Sequence, residues 1–87
     1  MEHELISILK YPLSTEKSVK LVGTANTITF VVGYHATKKQ IRKAFEALFK
    51  VKVLKVNTLI HKGRKKAYIK LAQENPAADV AAQFGMM

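Results

Sequence analysis

From Thr27 to Val32 the chain alternates, with Ile28, Phe30 and Val32 on one side of an extended backbone and Thr27, Thr29 and Val31 on the other. The β-branched residues throughout predict a strand, ended by Gly33. The period then changes. Ile41, Ala44, Phe45 and Leu48 recur at i, i+3, i+4 and i+7, the apolar stripe of an amphipathic helix. Thr37-Lys38-Lys39-Gln40 has the capping-box spacing that starts it.

Val51 to His61 is β-rich but switches sides: Val51 and Val53 share one, while Leu54, Val56 and Ile60 share the other. A β-bulge or a late strand start near Lys52 to Lys55 reconciles the halves. Lys62-Gly63-Arg64-Lys65 reads as a hairpin loop into Lys66 to Leu71, where Ala67, Ile69 and Leu71 alternate with Lys66, Tyr68 and Lys70.

The ends are less periodic. Leu5-Ile6-Ser7-Ile8-Leu9 suits either a strand or a helical turn, and Pro12 interrupts any regular element. Ser14 reads as the N-cap of a short helix through Val19 and Val22, with Glu16 in its first turn, a stop at Gly23, and Thr24-Ala25-Asn26 as a turn. Asn75 as N-cap, Pro76 at the first helical position and a stripe of Ala77, Val80, Ala81 and Phe84 predict a last helix that Gly85 stops. The order β-α-β-α-β-β with a short C-terminal helix describes an α+β class. A largely antiparallel sheet of about four strands is packed with helices, in one domain over residues 1–87.

Charge turns this outline into a functional expectation. The 87 residues hold 15 Lys and Arg against 6 Asp and Glu, a formal net charge of +9. All fifteen basic residues lie between Lys10 and Lys70, where the only acids are Glu16 and Glu46, so that stretch carries +13. Glu2, Glu4, Glu74 and Asp79 sit in the ends. Such self-repulsion disfavours the compact state, and a polyanion relieves it; nucleic acid is the expected partner.

Three basic groups stand out. The helix face opposite the stripe carries Lys38, Lys39, Arg42, Lys43 and Lys50, with Glu46 spaced for an ion pair to Arg42 or Lys50. The hairpin carries His61, Lys62, Arg64, Lys65 and Lys66, which can follow a phosphate backbone or simply guard a sheet edge. In the strand set Lys52, Lys55, Asn57 and Thr58, the lysines supply attraction while Asn and Thr reach 2′-hydroxyls or base edges. Lys10, Lys17, Tyr68 and Lys70 complete the candidate RNA-binding set. A merely solvated surface usually mixes both signs, and here they are not mixed. Phe30, Phe45, Phe49 and Phe84 fit core stripes, leaving Tyr11, Tyr34 and Tyr68 for bases. Without an aromatic cluster on adjacent strands, shape and phosphate contact to folded RNA is the expected mode.

Other chemistries find little support. There is no cysteine, and His3, His35 and His61 lie too far apart in sequence for a paired metal-ligand spacing. Carboxylates are too few for acid–base catalysis and the glycines form no phosphate-cradling loop, so neither enzyme nor cofactor is expected. No apolar run approaches the ~20 residues that span a bilayer, and Met1-Glu2-His3-Glu4 is acidic where a signal peptide is basic. A soluble, cytoplasmic protein without direct membrane insertion is expected.

Several blocks, in order, carry a resemblance: Tyr11-Pro12-Leu13-Ser14-Thr15-Glu16-Lys17, Asn26-Thr27-Ile28, Ala36-Thr37-Lys38-Lys39-Gln40-Ile41, Leu48-Phe49-Lys50-Val51, Val56-Asn57-Thr58-Leu59 and Lys65-Lys66-Ala67-Tyr68-Ile69-Lys70-Leu71. Together they resemble the universal large-subunit ribosomal protein twenty-three family over nearly the whole chain. The resemblance implies binding to large-subunit ribosomal RNA beside the exit of the nascent-peptide tunnel, among neighbouring ribosomal proteins. It also implies a share in the docking site for the signal recognition particle and protein-conducting channels. Glu16 matches a carboxylate that in bacterial members contributes to docking a ribosome-bound chaperone. Those members insert a long tunnel-lining arm where only six residues here separate Ile60 from Ala67. The short loop and the Asn75-Pro76-Ala77 helix look more like the archaeal branch.

Overall fold

The structure is a computed structural model that describes residues 8–84. Its elements are β1 (Leu9–Pro12), α1 (Glu16–Ala25), β2 (Thr27–Val32), α2 (Lys38–Phe49), β3 (Val53–His61), β4 (Arg64–Leu71) and α3 (Ala77–Gln83). The strands form one antiparallel sheet in the order β1-β2-β4-β3. The chain leaves β2, crosses through α2 to the far edge as β3, and returns as β4 into the gap between them. The expected α+β architecture is therefore present, in the order β-α-β-α-β-β-α.

Alternation on β2 and β4 sends Ile28, Phe30 and Val32 with Ala67, Ile69 and Leu71 into one core, joined by Ile41, Ala44 and Phe45 of α2 and by Val80 and Ala81 of α3. Phe30 sits at its centre, with ring centroids 5.7 Å from Phe45 and 5.5 Å from Phe84, both edge to face. Helix α2 opens on the expected capping box: Thr37 Oγ1 accepts the Gln40 N–H at 3.1 Å, and Gln40 Oε1 accepts the Thr37 N–H at 3.0 Å. Its stripe turns at the end. Leu48, expected in the core, is 49% exposed, and Phe49 packs there instead, 4.6 Å from Phe45 and 5.3 Å from Phe84.

Strand β3 uses both devices suggested by its change of side. It starts late, at Val53, and its register shifts between Val53 and Lys55. Leu54 therefore does not share a side with Val56: it is the extra residue and is exposed, while Val56 is buried. Ile60 keeps the parity of Val56 but lies beyond the core and is exposed too. The hairpin is tighter than expected. Lys62 and Gly63 alone form the loop, both with positive φ (51° and 75°), the signature of a type I′ turn, and Arg64 and Lys65 already belong to β4.

Three boundaries differ from the sequence reading. Thr15, not Ser14, caps α1, its Oγ1 accepting the Ser18 N–H. Gly23 does not stop that helix; it continues to Ala25 because Asn26 supplies the left-handed residue (φ 50°, ψ 42°) that a helix end needs. Asn75 does not cap α3, since Pro76 occupies the cap position and the Asn75 Oδ1 accepts the Lys52 N–H instead. At the start, Pro12 closes edge strand β1 rather than breaking it, a place where a missing N–H is tolerated. Leu5, Ile6 and Ser7 of the first apolar run, and the Gly85 stop, lie outside the described residues.

Candidate nucleic-acid interface

The register decides which side chains are neighbours on the sheet face turned away from the core. Across β2, β4 and β3, the rows on that face are Thr27–Lys70–Lys55, Thr29–Tyr68–Asn57 and Val31–Lys66–Leu59, and Arg64 and His61 face each other beyond them. Side chains directly opposite stand only ~5 Å apart at Cβ. One column on β4 thus reads Arg64, Lys66, Tyr68, Lys70, beside a β3 column of Lys55, Asn57, Leu59 and His61. No carboxylate occurs in these rows, so nothing local offsets their positive potential.

The basic face of α2 meets this surface around the β3 edge. Arg42 Nη2 donates to the Leu54 carbonyl at 2.8 Å, and Glu46 Oε2 accepts the Val53 N–H at 3.0 Å. The expected helical ion pair is thus replaced by two bonds from α2 to the strand. The reason is that β3 is an edge strand whose outward N–H and C=O groups have no neighbouring strand, and α2 supplies their partners. Lys38, Lys39 and Arg42 then line one cleft with Leu54, Lys55 and Val56. Lys55 belongs to both the cleft and the outer sheet face, so one cationic surface runs from β4 across β3 onto α2.

Not every candidate joins it. Lys43 is exposed on α2, Lys62 on the hairpin turn and Lys52 on the α2–β3 connection. Lys17 in the first turn of α1 shares a cleft with Lys66 and Tyr68. Lys65 and Thr58 take the opposite parity, facing Val32, Ile60 and Ala67 in the register, and the Lys65 ammonium donates to the Ala36 carbonyl at 2.7 Å. Lys10 stands on the other edge of the sheet, in a cleft with Tyr34 and Gln40. Glu16 is exposed at the start of α1. Sequence reasoning missed Thr29, a polar residue on the outer face that is nevertheless 2% exposed. Its only signal was a threonine between core positions, and nothing in the pattern showed that α1 would wall it in.

Among the described residues, no group of three or more His, Cys, Asp or Glu could hold a metal ion, and no helix is long and apolar enough to cross a membrane. What the fold assembles is a continuous cationic surface on one face of a four-stranded sheet, the arrangement of a protein that binds a polyanion. Comparison with known proteins makes that class specific. Residues 7–78 match the family described as ribosomal protein L23, and the chain belongs to that family of structural, non-enzymatic ribosomal proteins. A large ribosomal subunit protein uL23 of Methanothermobacter thermautotrophicus is 47% identical over 81 residues, which cover 92% of this chain and 94% of the relative. Another, of Trypanosoma brucei brucei, is 46% identical over 81 residues, but the chain spans about half of it, 49% of its length.

Proposed function

We propose that this protein binds large-subunit ribosomal RNA through the outer face of its sheet and the adjoining face of α2, contacting neighbouring ribosomal proteins in the assembled subunit. The single observation that carries the reading is the continuity of the cationic surface through Lys55, with Arg64, Lys66 and Lys70 on one side and Lys38, Lys39 and Arg42 on the other. Cations spaced along strands and a helix meet a phosphate backbone without first ordering a flexible chain, so the entropy lost on binding is confined to their side chains. Lys17, Lys43, Lys52 and Lys62 add phosphate contacts beyond that surface, Asn57 and Tyr68 supply hydrogen bonding and stacking, and Lys10 contacts RNA from the other edge.

The position follows from the family resemblance: beside the exit of the peptide tunnel on cytoplasmic ribosomes, where the exposed Glu16 takes part in docking the signal recognition particle or a protein-conducting channel. The two-residue turn between β3 and β4 has no insertion like the long arm of the bacterial members.

The test is binding of a large-subunit ribosomal RNA fragment across a salt series. Neutralising about six phosphates gives a log–log slope of about −5. Affinity that does not respond to salt would contradict the reading, as would failure to co-sediment with large subunits after a high-salt wash.

A further inference from the structure

The outer sheet face is not flat. Where α1 meets β2, a cleft of about 210 Å³ opens, with Leu13 and Leu21 from one side and Leu59 and Tyr68 from the other around Thr29. Lys17, His61 and Lys66 also line it. Glu16, the acid of the same helical turn, does not.

Thr29 is the second observation. Its Oγ1 is buried and finds no hydrogen-bond partner, the one such side-chain atom among the described residues. The neighbouring hydroxyls are occupied: Ser18 Oγ donates to the Leu13 carbonyl at 2.8 Å, and Thr15 Oγ1 accepts the Ser18 N–H at 3.3 Å. A buried hydroxyl without a partner destabilises the free protein, and a valine of the same shape would avoid the penalty. The register sets Thr29 directly opposite Tyr68, which stands between Lys66 and Lys70 on β4.

These groups form a chemical pattern. A flat aromatic and leucine side chains suit the faces of a planar ring, a hydroxyl just beneath the floor, reached by rotation of the Thr29 side chain, suits its polar edge, and lysines at the mouth suit a phosphate tied to that ring. A lipid chain would leave the hydroxyl idle, and an acidic peptide would leave the aromatic wall idle. A nucleotide uses all three.

We infer that the cleft seats a single unpaired nucleotide of the bound RNA, its base against Tyr68, its polar edge toward Thr29 Oγ1 and its phosphate between Lys17 and Lys66. The inference rests on the RNA-binding function proposed above and sharpens it: most of the surface meets phosphates, and this point takes an extruded base. A hydroxyl both donates and accepts, so the cleft selects an unstacked base without choosing among the four.

The test uses the full chain. Uridine and adenosine 5′-monophosphates should shift the amide resonances of Thr29, Leu59 and Tyr68, whereas inorganic phosphate should shift only those near Lys17 and Lys66. An RNA hairpin with one bulged nucleotide should bind about tenfold tighter than its fully paired counterpart. Thr29→Val should abolish that preference while leaving the paired hairpin's affinity unchanged, and Tyr68→Leu should lower the bulged hairpin's affinity about tenfold more than the paired hairpin's. Thr29→Val should also raise the melting temperature, which separates a lost contact from a lost fold. Equal, salt-sensitive binding of both hairpins by the unaltered protein would overturn the inference and leave the proposed function standing. Nucleotide shifts confined to the phosphate set would also overturn it. Failure to bind either hairpin at low salt would overturn both.

Discussion

The side-chain oxygen of Asn26 accepts the backbone N–H of Ala77 at 2.6 Å, a bond between residues 51 positions apart. It satisfies one of the first amides of α3, which has no cap of its own. The same side chain turns its Nδ2 toward the carbonyls of Leu71, Ala72 and Asn75, at 3.1, 3.1 and 3.2 Å. One amide thus ties the end of α1, the end of β4 and the start of α3 together.

Asn26→Ala should therefore destabilise the fold by about 3 kcal/mol, from lost buried hydrogen bonds and from a left-handed backbone that alanine tolerates poorly. Chemical denaturation checks the size. Asn26→Gly isolates the side chain: it relieves the backbone but restores none of the bonds, so its loss should be smaller and still well above zero.

The hairpin turn offers a gain. Lys62 holds φ at 51° with a side chain that makes this region unfavourable, so Lys62→Asn should stabilise by roughly 0.5 kcal/mol. Nothing lies within 4 Å of the position a Cβ would take on Gly63, so Gly63→Ala should cost about 1 kcal/mol from its φ of 75° alone. Thermal melts of the two variants should move in opposite directions.

Glu46 is a strand-edge residue as well as a helix residue. Glu46→Ala removes the acceptor for the Val53 N–H and should destabilise by about 1–2 kcal/mol, with hydrogen exchange accelerated first at Val53. A simple helical ion pair would contribute only ~0.3–0.5 kcal/mol and leave that amide protected.

Charge reversal distinguishes binding from folding on α2. Lys38→Glu with Lys39→Glu should weaken ribosomal RNA binding and lower the salt slope by about 2, with a melting temperature that does not fall, since acids suit the first turn of a helix and relieve the excess positive charge. Arg42→Glu should weaken binding and also lower stability, because its guanidinium holds Leu54.

Glu16→Lys should impair docking of tunnel-exit factors while RNA affinity is maintained, since Glu16 lies off the basic rows of the sheet. Binding of the signal recognition particle to subunits carrying the variant is the measurement. Failure of the variant to assemble into subunits would contradict this division of roles.

Much of the fold was legible because its cues are local. The alternation of β2 and β4, the Thr37–Gln40 capping box and the change of side before Lys55 each act within a few residues, where steric and hydrogen-bonding preferences operate directly. The errors fell where distant segments compete for the same group. Asn75 looks like a cap by its neighbours, yet its side-chain oxygen accepts the Lys52 N–H, and Asn26 does the capping from across the molecule. Leu48 fits the helical stripe, but Phe49 takes the core position by packing against Phe30, Phe45 and Phe84, and Leu48 is left exposed.

By itself, the sequence determined that this is a basic α+β protein whose charge lies between Lys10 and Lys70, and its ordered blocks identified the family. Composition and short-range periodicity carry that information without any knowledge of contacts. Only the tertiary structure decided which cations share a surface. Strand register sets Lys55 beside Lys70, and the packing of α2 against the β3 edge brings Lys38, Lys39 and Arg42 into one cleft with Lys55, neighbours that no local pattern fixes. It also decided that Thr29 would be buried with an unpartnered hydroxyl, because that depends on where α1 packs, and packing is set by the whole chain at once.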